Sequence, residues 1–350
     1  MSPGPPADVV HQSQRRGSRP RGHAFPEKND EDHRHDDMTA IDFPPARRRA
    51  ASTTADHGIS AHRVIGWLWI SPILLGLAST LVYPTLFLVA LALSKSTLGK
   101  PFRSFVGLRH VRDVLQDPLF VTSLTKSIAY AFITASTQLA IGFLIALLFS
   151  QLLKAGRFLV SLILLPLMTP PVMVGVAWKL ILAPAGGLLN GVLLNLGIVD
   201  APVSFLGDPV FAWFAIAVAD VWQWTPFVVI LSFAALSTIP EGVHEASIID
   251  GASPLQRFWH ITLPLVAAPL SSIYLLKLIL SFKVFDLVYV LTFGGPGFAT
   301  TTTGFSIYRR ALEQFDVARA AAETLIYSLV IGAVLWPVIR IHQHLERKDA

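Results

Sequence analysis

Six apolar runs of roughly 20 residues or more punctuate this chain, near residues 64–93, 122–150, 158–182, 210–236, 265–291 and 324–341. Each is long enough to cross about 30 Å of hydrocarbon as a helix, which predicts an all-α polytopic membrane protein. Between the fourth and fifth runs lies a polar island carrying Glu241, Glu245, Asp250, Gln256, Arg257 and His260. An ionised group at bilayer depth costs ~2.5 kcal/mol or more, so this stretch belongs in water beside the membrane. Pro240 suits a first helical turn, Gly251 suits a helix end with positive φ, and Ser253-Pro254 is a second start signal. The island therefore reads as two short helices with a bend, the second ending at Pro264. Small Ala246 and Ser247 on the first leave room for a partner to approach closely.

Composition agrees: 53% of the 350 residues are hydrophobic and 15% charged, with mean hydropathy +0.55. An average soluble domain has far more charge. The pI is near 9.6, yet the basic residues are split between a tail and membrane-flanking loops, with no aromatic-interleaved groove. Anionic lipid fits as the counter-charge and nucleic acid does not. Without any cysteine, disulfides and thiolate metal sites are excluded. No G-x-x-x-x-G-K-[ST] run is present to cradle ATP phosphates, and His244-Glu245 lacks the second histidine of a zinc-protease signature. These patterns predict neither an ATPase nor a protease, no metal site, and no catalytic residue.

Residues 1–60 are rich in Pro, Arg, His and Asp with almost no apolar periodicity, the composition of a disordered tail. The stretch His33–Asp37 reads as solvated polar chain, and translation is open to start at Met1 or Met38. Lys and Arg near the run ends number ten on the side of the N-terminus and eight on the other, too even for the positive-inside rule to orient the chain.

The run IPEGVHEASIIDGASPLQRFWHITLP resembles the EAA loop of permease subunits of binding-protein-dependent ABC importers. Glu245, Ala246, Ser247 in place of the usual third alanine, Gly251, Ile261, Leu263 and Pro264 match the motif. The resemblance covers roughly residues 60 to 345. LLPLMTPPVMVGVAWKLILAPAGGLLNGVLLNLG, DVWQWTPF and the Thr292–Pro296 loop are similar to segments of the carbohydrate-type branch, and Phe315-Asp316 with Ala320, Ala321 and Ala322 resembles its outer short helix. It implies a six-helix core of the type I importer fold over residues 61–345. A cytoplasmic coupling loop at 240–264 would dock on an ATPase subunit, with 346–350 as a cytoplasmic C-terminal end. The implied partners are a second permease subunit, two ATPase subunits that carry ATP and Mg, and an extracytoplasmic solute-binding protein. The implied setting is the bacterial inner membrane with both termini in the cytoplasm, and the cargo a sugar or polyol derivative. A secondary transporter is the alternative.

For such cargo, aromatic planes and hydrogen-bonding groups are needed together, which makes Trp222, Gln223, Lys283, Asp286 and Tyr289 the candidates for a substrate path. Each also has a structural reading. Tryptophans anchor spans at the interface, the prolines Pro166, Pro170 and Pro171 kink a buried helix, and Lys283 with Asp286, three apart, would neutralise one another on one helical face.

Overall fold

The computed structural model describes residues 56–152 and 157–349, so the tail at 1–55, most of the expected 1–60 region, lies outside the described residues. The described part is helical throughout, with isolated bridges at Ser94–Phe105 and Thr97–Lys100 as the only extended pairing.

The first span runs through α1 (Asp56–Leu77) and a π-turn into α2 (Tyr83–Ala92). Among the described residues it packs at its far end, where Phe87 meets Phe102 edge-on and Leu88, Leu91 and Ala92 pack with Ala321, Ala322 and Ile326. After α3 (Arg109–Leu115), α4 (Pro118–Leu152) is the second span. The third is broken: α5 (Arg157–Met168) and α6 (Pro171–Ile181) meet at 105°. Pro170 and Pro171 cannot donate the hydrogen bonds that would continue α5, so the kink expected from the sequence is a full change of direction.

A loop with α7 (Leu188–Asn195) leads to the fourth span, α8 (Pro209–Leu236), whose first turn is capped by the Asp208 carboxylate accepting from the Val210 and Phe211 amides. Asn190 ties that loop together, donating to the Ala183 and Val203 carbonyls and accepting from the Val203 amide at 2.8 Å. Gly187 is required beside it, because a Cβ there would sit 2.2 Å from the Ala183 oxygen. Asn190→Ala strands three backbone groups, and we expect ~2–3 kcal/mol of lost stability and faster proteolysis between residues 182 and 208, with Asn190→Asp milder. Identical cleavage rates for wild type and the alanine variant would refute that role.

The polar island contains α9 (Glu241–Ile249) and α10 (Pro254–Arg257). From α10 the chain passes through a π-turn at Phe258–Thr262 into α11 (Leu263–Leu265). The helix thus continues one residue past the expected stop at Pro264, because the π-turn widens the backbone ahead of the proline. It breaks at Val266, and α12 (Ala267–Ser281) departs at 67°.

The fifth window, expected to be continuous over 265–291, ends at Ser281 and restarts as α13 (Asp286–Leu291). Lys283 and Asp286 consequently do not share a helical face and form no ion pair among the described residues. Tertiary hydrogen bonds make the break tolerable: the Tyr327 hydroxyl donates to the Phe282 carbonyl at 2.6 Å, and Thr302 takes Val284. α14 (Thr303–Tyr308) and a π-turn lead to α15 (Val317–Asp349), the sixth span. Ala320, Ala321 and Ala322 are buried in its first turns, with Asp316 receiving the Arg319 amide, so the expected separate outer helix is the start of the last span.

α4 lies along α8 so closely that a Cβ on Gly142 would be 2.7 Å from Val228, and α12 packs across both α4 and α15. Among the described residues this makes four helices long and apolar enough to cross a membrane, and six spans if each bent pair counts as one.

Candidate functional site

The polar island is built as two capped helices joined by a defined turn. Gly251 takes φ +74°, its amide bonds the Ile248 carbonyl, and the Ala252 amide bonds Ser247, which closes the C-terminus of α9 in a Schellman motif. Ser253 and Gln256 then exchange side-chain and backbone bonds in a capping box that opens α10. Both ends of the bend are therefore satisfied internally, and the element holds its shape without help from a partner.

Its outward surface is apolar where water would favour polar groups. Ile248 (60% exposed), Ile249 (85%), Leu255 (67%) and Trp259 (56%) stand out beside exposed Glu245 and Ala246. Ser247 faces the other way: it is buried and its hydroxyl donates to the His244 carbonyl at 2.6 Å. The expectation that Ser247 leaves room for an approaching partner is corrected, since its small volume serves packing within the chain. Ile261 and Leu263 are half-buried, while Pro264 is exposed at the bend. Behind the island, a cavity of about 740 Å³ opens between it and the ends of α4 and α8, lined by Ser150, Ser237, Glu241, His244, Arg257 and apolar neighbours.

Within the membrane, the structure assembles a polar core that crosses three spans. The Gln138 amide on α4 donates to the backbone carbonyl and the carboxylate of Asp220 on α8, at 3.0 and 3.1 Å. Lys277 on α12 is almost wholly buried with its ammonium 4.7 Å above the Trp224 ring, and it feels the charge of Asp220 without forming an ion pair with it among the described residues. Trp224 thus faces an internal cation instead of anchoring at the interface. Lys277 was legible as a cation inside an apolar window, along with Lys283, yet the carboxylate whose charge it feels lies on another span.

The five path candidates are not gathered into one cluster. Trp222 is exposed and meets Trp178 edge-on at 6.3 Å. Gln223 is buried and donates at 3.0 Å to the Thr169 carbonyl, stranded at the break between α5 and α6, so its amide braces two spans. Lys283 is exposed in the break after α12 and Asp286 half-buried at the start of α13. Tyr289 belongs to an aromatic group that the sequence did not reveal, within 5.4–5.6 Å of Phe285, Phe293 and Tyr308. Gly294, at φ +78°, admits the Phe305 edge into this group, since a Cβ would lie 2.6 Å from it.

A second charged cluster secures the far end of the bundle. Arg310 pairs with Asp117, at the start of α4, and with Glu323 on α15, whose carboxylate is fully buried. Burial pushes the Asp117 carboxyl up, but the Arg310 hydrogen bond, the Leu119 amide and the Arg310 charge outweigh it and hold it below its ordinary value of 3.8. A carboxyl with a lowered folded value contributes stability above the ordinary value and loses it as pH falls through the folded one. Titration of the purified chain from neutral pH to roughly pH 5 should therefore leave the Arg310–Asp117 pair of this latch intact, read as unchanged protease resistance of the 309–316 segment. Release of that segment before the ordinary carboxylate range would contradict the assignment.

Comparison with known proteins places these elements. Residues 138–348 match the model of binding-protein-dependent transport system inner membrane components. The chain is similar to the trehalose/maltose transport system permease protein MalF of Thermococcus litoralis, 37% identical over 68% of this chain and 80% of the relative. It also resembles the sn-glycerol-3-phosphate transport system permease protein UgpA of Pectobacterium atrosepticum, 28% identical over 65% of this chain and 76% of that one. Its fold matches a chain of a bacterial ABC transporter involved in alginate import, with TM-score 0.72 at 19% identity, over 82% of this chain and 98% of the other. From sequence, span arrangement and fold together, the chain belongs to the family of binding-protein-dependent transport system inner membrane components, the permease subunits of ABC importers.

Proposed function

We propose that the chain is one of two membrane subunits of an ATP-driven importer, and that it translocates a sugar, polyol or related derivative handed over by an extracytoplasmic solute-binding protein. The observation that carries this reading is the self-capped helical pair at 241–257 with an uncovered apolar face, set between the fourth and fifth spans. Such a face in water needs a protein partner, and its matching motif in the family docks on the ATPase. In this reading the island, both termini and the tail lie in the cytoplasm. ATP and Mg are bound by the two ATPase subunits, and a second permease subunit completes the path. Similarity to permeases named for trehalose/maltose and sn-glycerol-3-phosphate supports the cargo class.

Closure of the ATPases displaces α9 and α10 as a unit, because the Gly251 turn and the capping box fix their relative angle. The motion enters α8 directly and α12 through the bend at Val266. Trp222, Asp286, Tyr289 and Lys283 are proposed to line the path these helices open, with Gln223 positioning α8 against α5. Glu245 contributes a charge to the docked surface.

The test is uptake of labelled maltose, trehalose and glycerol 3-phosphate by proteoliposomes holding the complete importer and its binding protein. ATP-dependent uptake of one of them, reduced by Gly251→Val with the complex still assembled, is the expected result. A valine Cβ meets nothing there, so the cost is the positive φ alone, ~1–2 kcal/mol. Uptake driven by an ion gradient with no ATPase present would overturn the proposal.

A further inference from the structure

The loop joining the first two spans carries Lys95, Lys100, Arg103, Arg109 and Arg112 with no acid between Ser94 and Arg112. All five are exposed, and none forms an ion pair among the described residues. The carboxylates next to this loop are already engaged: Asp117 by Arg310, Asp113 and Asp316 by Arg319, and Glu313 by Arg309. The loop lies at the end of the bundle opposite the α9–α10 island, tied there by the Leu98 amide donating to the Phe315 carbonyl. On the proposed orientation it is extracytoplasmic, the side on which basic residues near span ends oppose correct insertion. A run of five unpaired cations there works against topogenesis and calls for a use outside the chain.

The loop is also shaped. Ser94 and Ser96 are buried and hydrogen-bonded to each other at 2.7 Å, and the Ser96 hydroxyl accepts from the Phe102 amide at 2.9 Å. That bond accompanies a Phe102 φ of +55°, a conformation costly for an aromatic residue, with its ring seated edge-on against Phe87 and 44% exposed. Phe105 (80% exposed) and Leu108 (70%) stand among the cations. Fixed aromatic residues interspersed with arginine compose a protein-recognition surface, whereas fluid headgroups require no such fixed form.

We propose that residues 95–112 form a docking surface for an acidic face of an extracytoplasmic protein, which in this importer is the solute-binding protein. The identity of that partner rests on the importer reading, and the surface itself does not. Its cations steer the loaded binding protein to the mouth of the path, and Phe102, Phe105 and Leu108 supply the apolar contact once it arrives.

The experiment uses the complete importer in phosphatidylcholine vesicles and reads ATPase stimulation against binding-protein concentration at increasing NaCl. Combined Arg103→Glu, Arg109→Glu and Arg112→Glu should raise the half-saturating concentration by roughly tenfold or more, flatten its salt dependence and leave ATPase activity without binding protein unchanged. The corresponding triple lysine variant should behave as wild type, which separates charge from folding. A wild-type response insensitive to salt, together with an unchanged reversed variant, would overturn the proposal. A defect seen only when phosphatidylglycerol is added would overturn it in favour of a lipid site. Binding of labelled poly-L-glutamate to the purified chain, followed by fluorescence anisotropy, tests the surface independently of any importer activity. Wild type should bind, the reversed triple variant should not, and equal binding by both would sink the inference.

Discussion

Replacing Lys277 with methionine is expected to empty the membrane of folded protein. The substitution leaves Asp220 buried, with the Gln138 hydrogen bond but without the compensating charge of Lys277. Leaving a buried carboxylate without its compensating cation costs up to ~3–5 kcal/mol, a large part of the net stability of an ordinary domain. The packing left by methionine is close to that of the lysine stem, so lost volume cannot account for the effect. Adding Asp220→Asn should restore much of the yield, because a neutral amide tolerates the missing cation. Membrane abundance and the midpoint of thermal unfolding in detergent decide the matter. If the single variant accumulates like wild type, or the double is no better than the single, the pair does not hold these spans together.

The outward face of the α9–α10 island should show a large effect of the opposite kind, on assembly instead of folding. Ile249→Asp combined with Trp259→Asp alters two side chains that are mostly in water, so the chain itself should insert and fold as before. On a docked ATPase each aspartate would be desolvated without a partner, and anchors of this size are worth ~2 kcal/mol or more apiece. Copurification of the ATPase is expected to fall by about two orders of magnitude or more, with transport falling alongside. Stoichiometric ATPase retained on the double variant would move the docking surface elsewhere. Ser247→Val is the contrasting case, since Ser247 packs inward and its change should disturb α9 before it disturbs docking.

Local grammar was legible where the causes are local. The Gly251 turn, the Ser253 cap and the proline break after Met168 all follow from residues within a few positions of one another, and the structure forms each of them. The six windows were readable because hydrocarbon imposes its length on any span. What escaped were features set by distant partners. Nothing near Lys283 announces that Tyr327 will take the Phe282 carbonyl and let α12 stop, so the expected Lys283–Asp286 face dissolved. The Arg310 cluster draws on three separate segments, and its components read singly as unremarkable loop and span charges. Gln223 carried a hydrogen-bonding signal that was real, but its partner is the Thr169 backbone. The start of α15 was placed too late for a related reason: a buried Glu323 interrupts the apolar pattern, and its neutraliser comes from outside that window.

The first span has a consequence for biogenesis. From Trp67 to Leu86 its side chains gain almost nothing from the rest of the described chain, although they are strongly apolar. Its partition into lipid must be favourable from its own residues, each central Leu, Ile, Phe or Val contributing about −0.3 to −0.6 kcal/mol. During synthesis it can leave the translocon and wait, whereas α8 and α12, with Asp220 and Lys277 inside them, are poor lipid solutes until they meet. Insertion of this chain is therefore ordered by chemistry: an autonomous first helix sets the topology, and the polar spans are retained near the exit until their charges find each other.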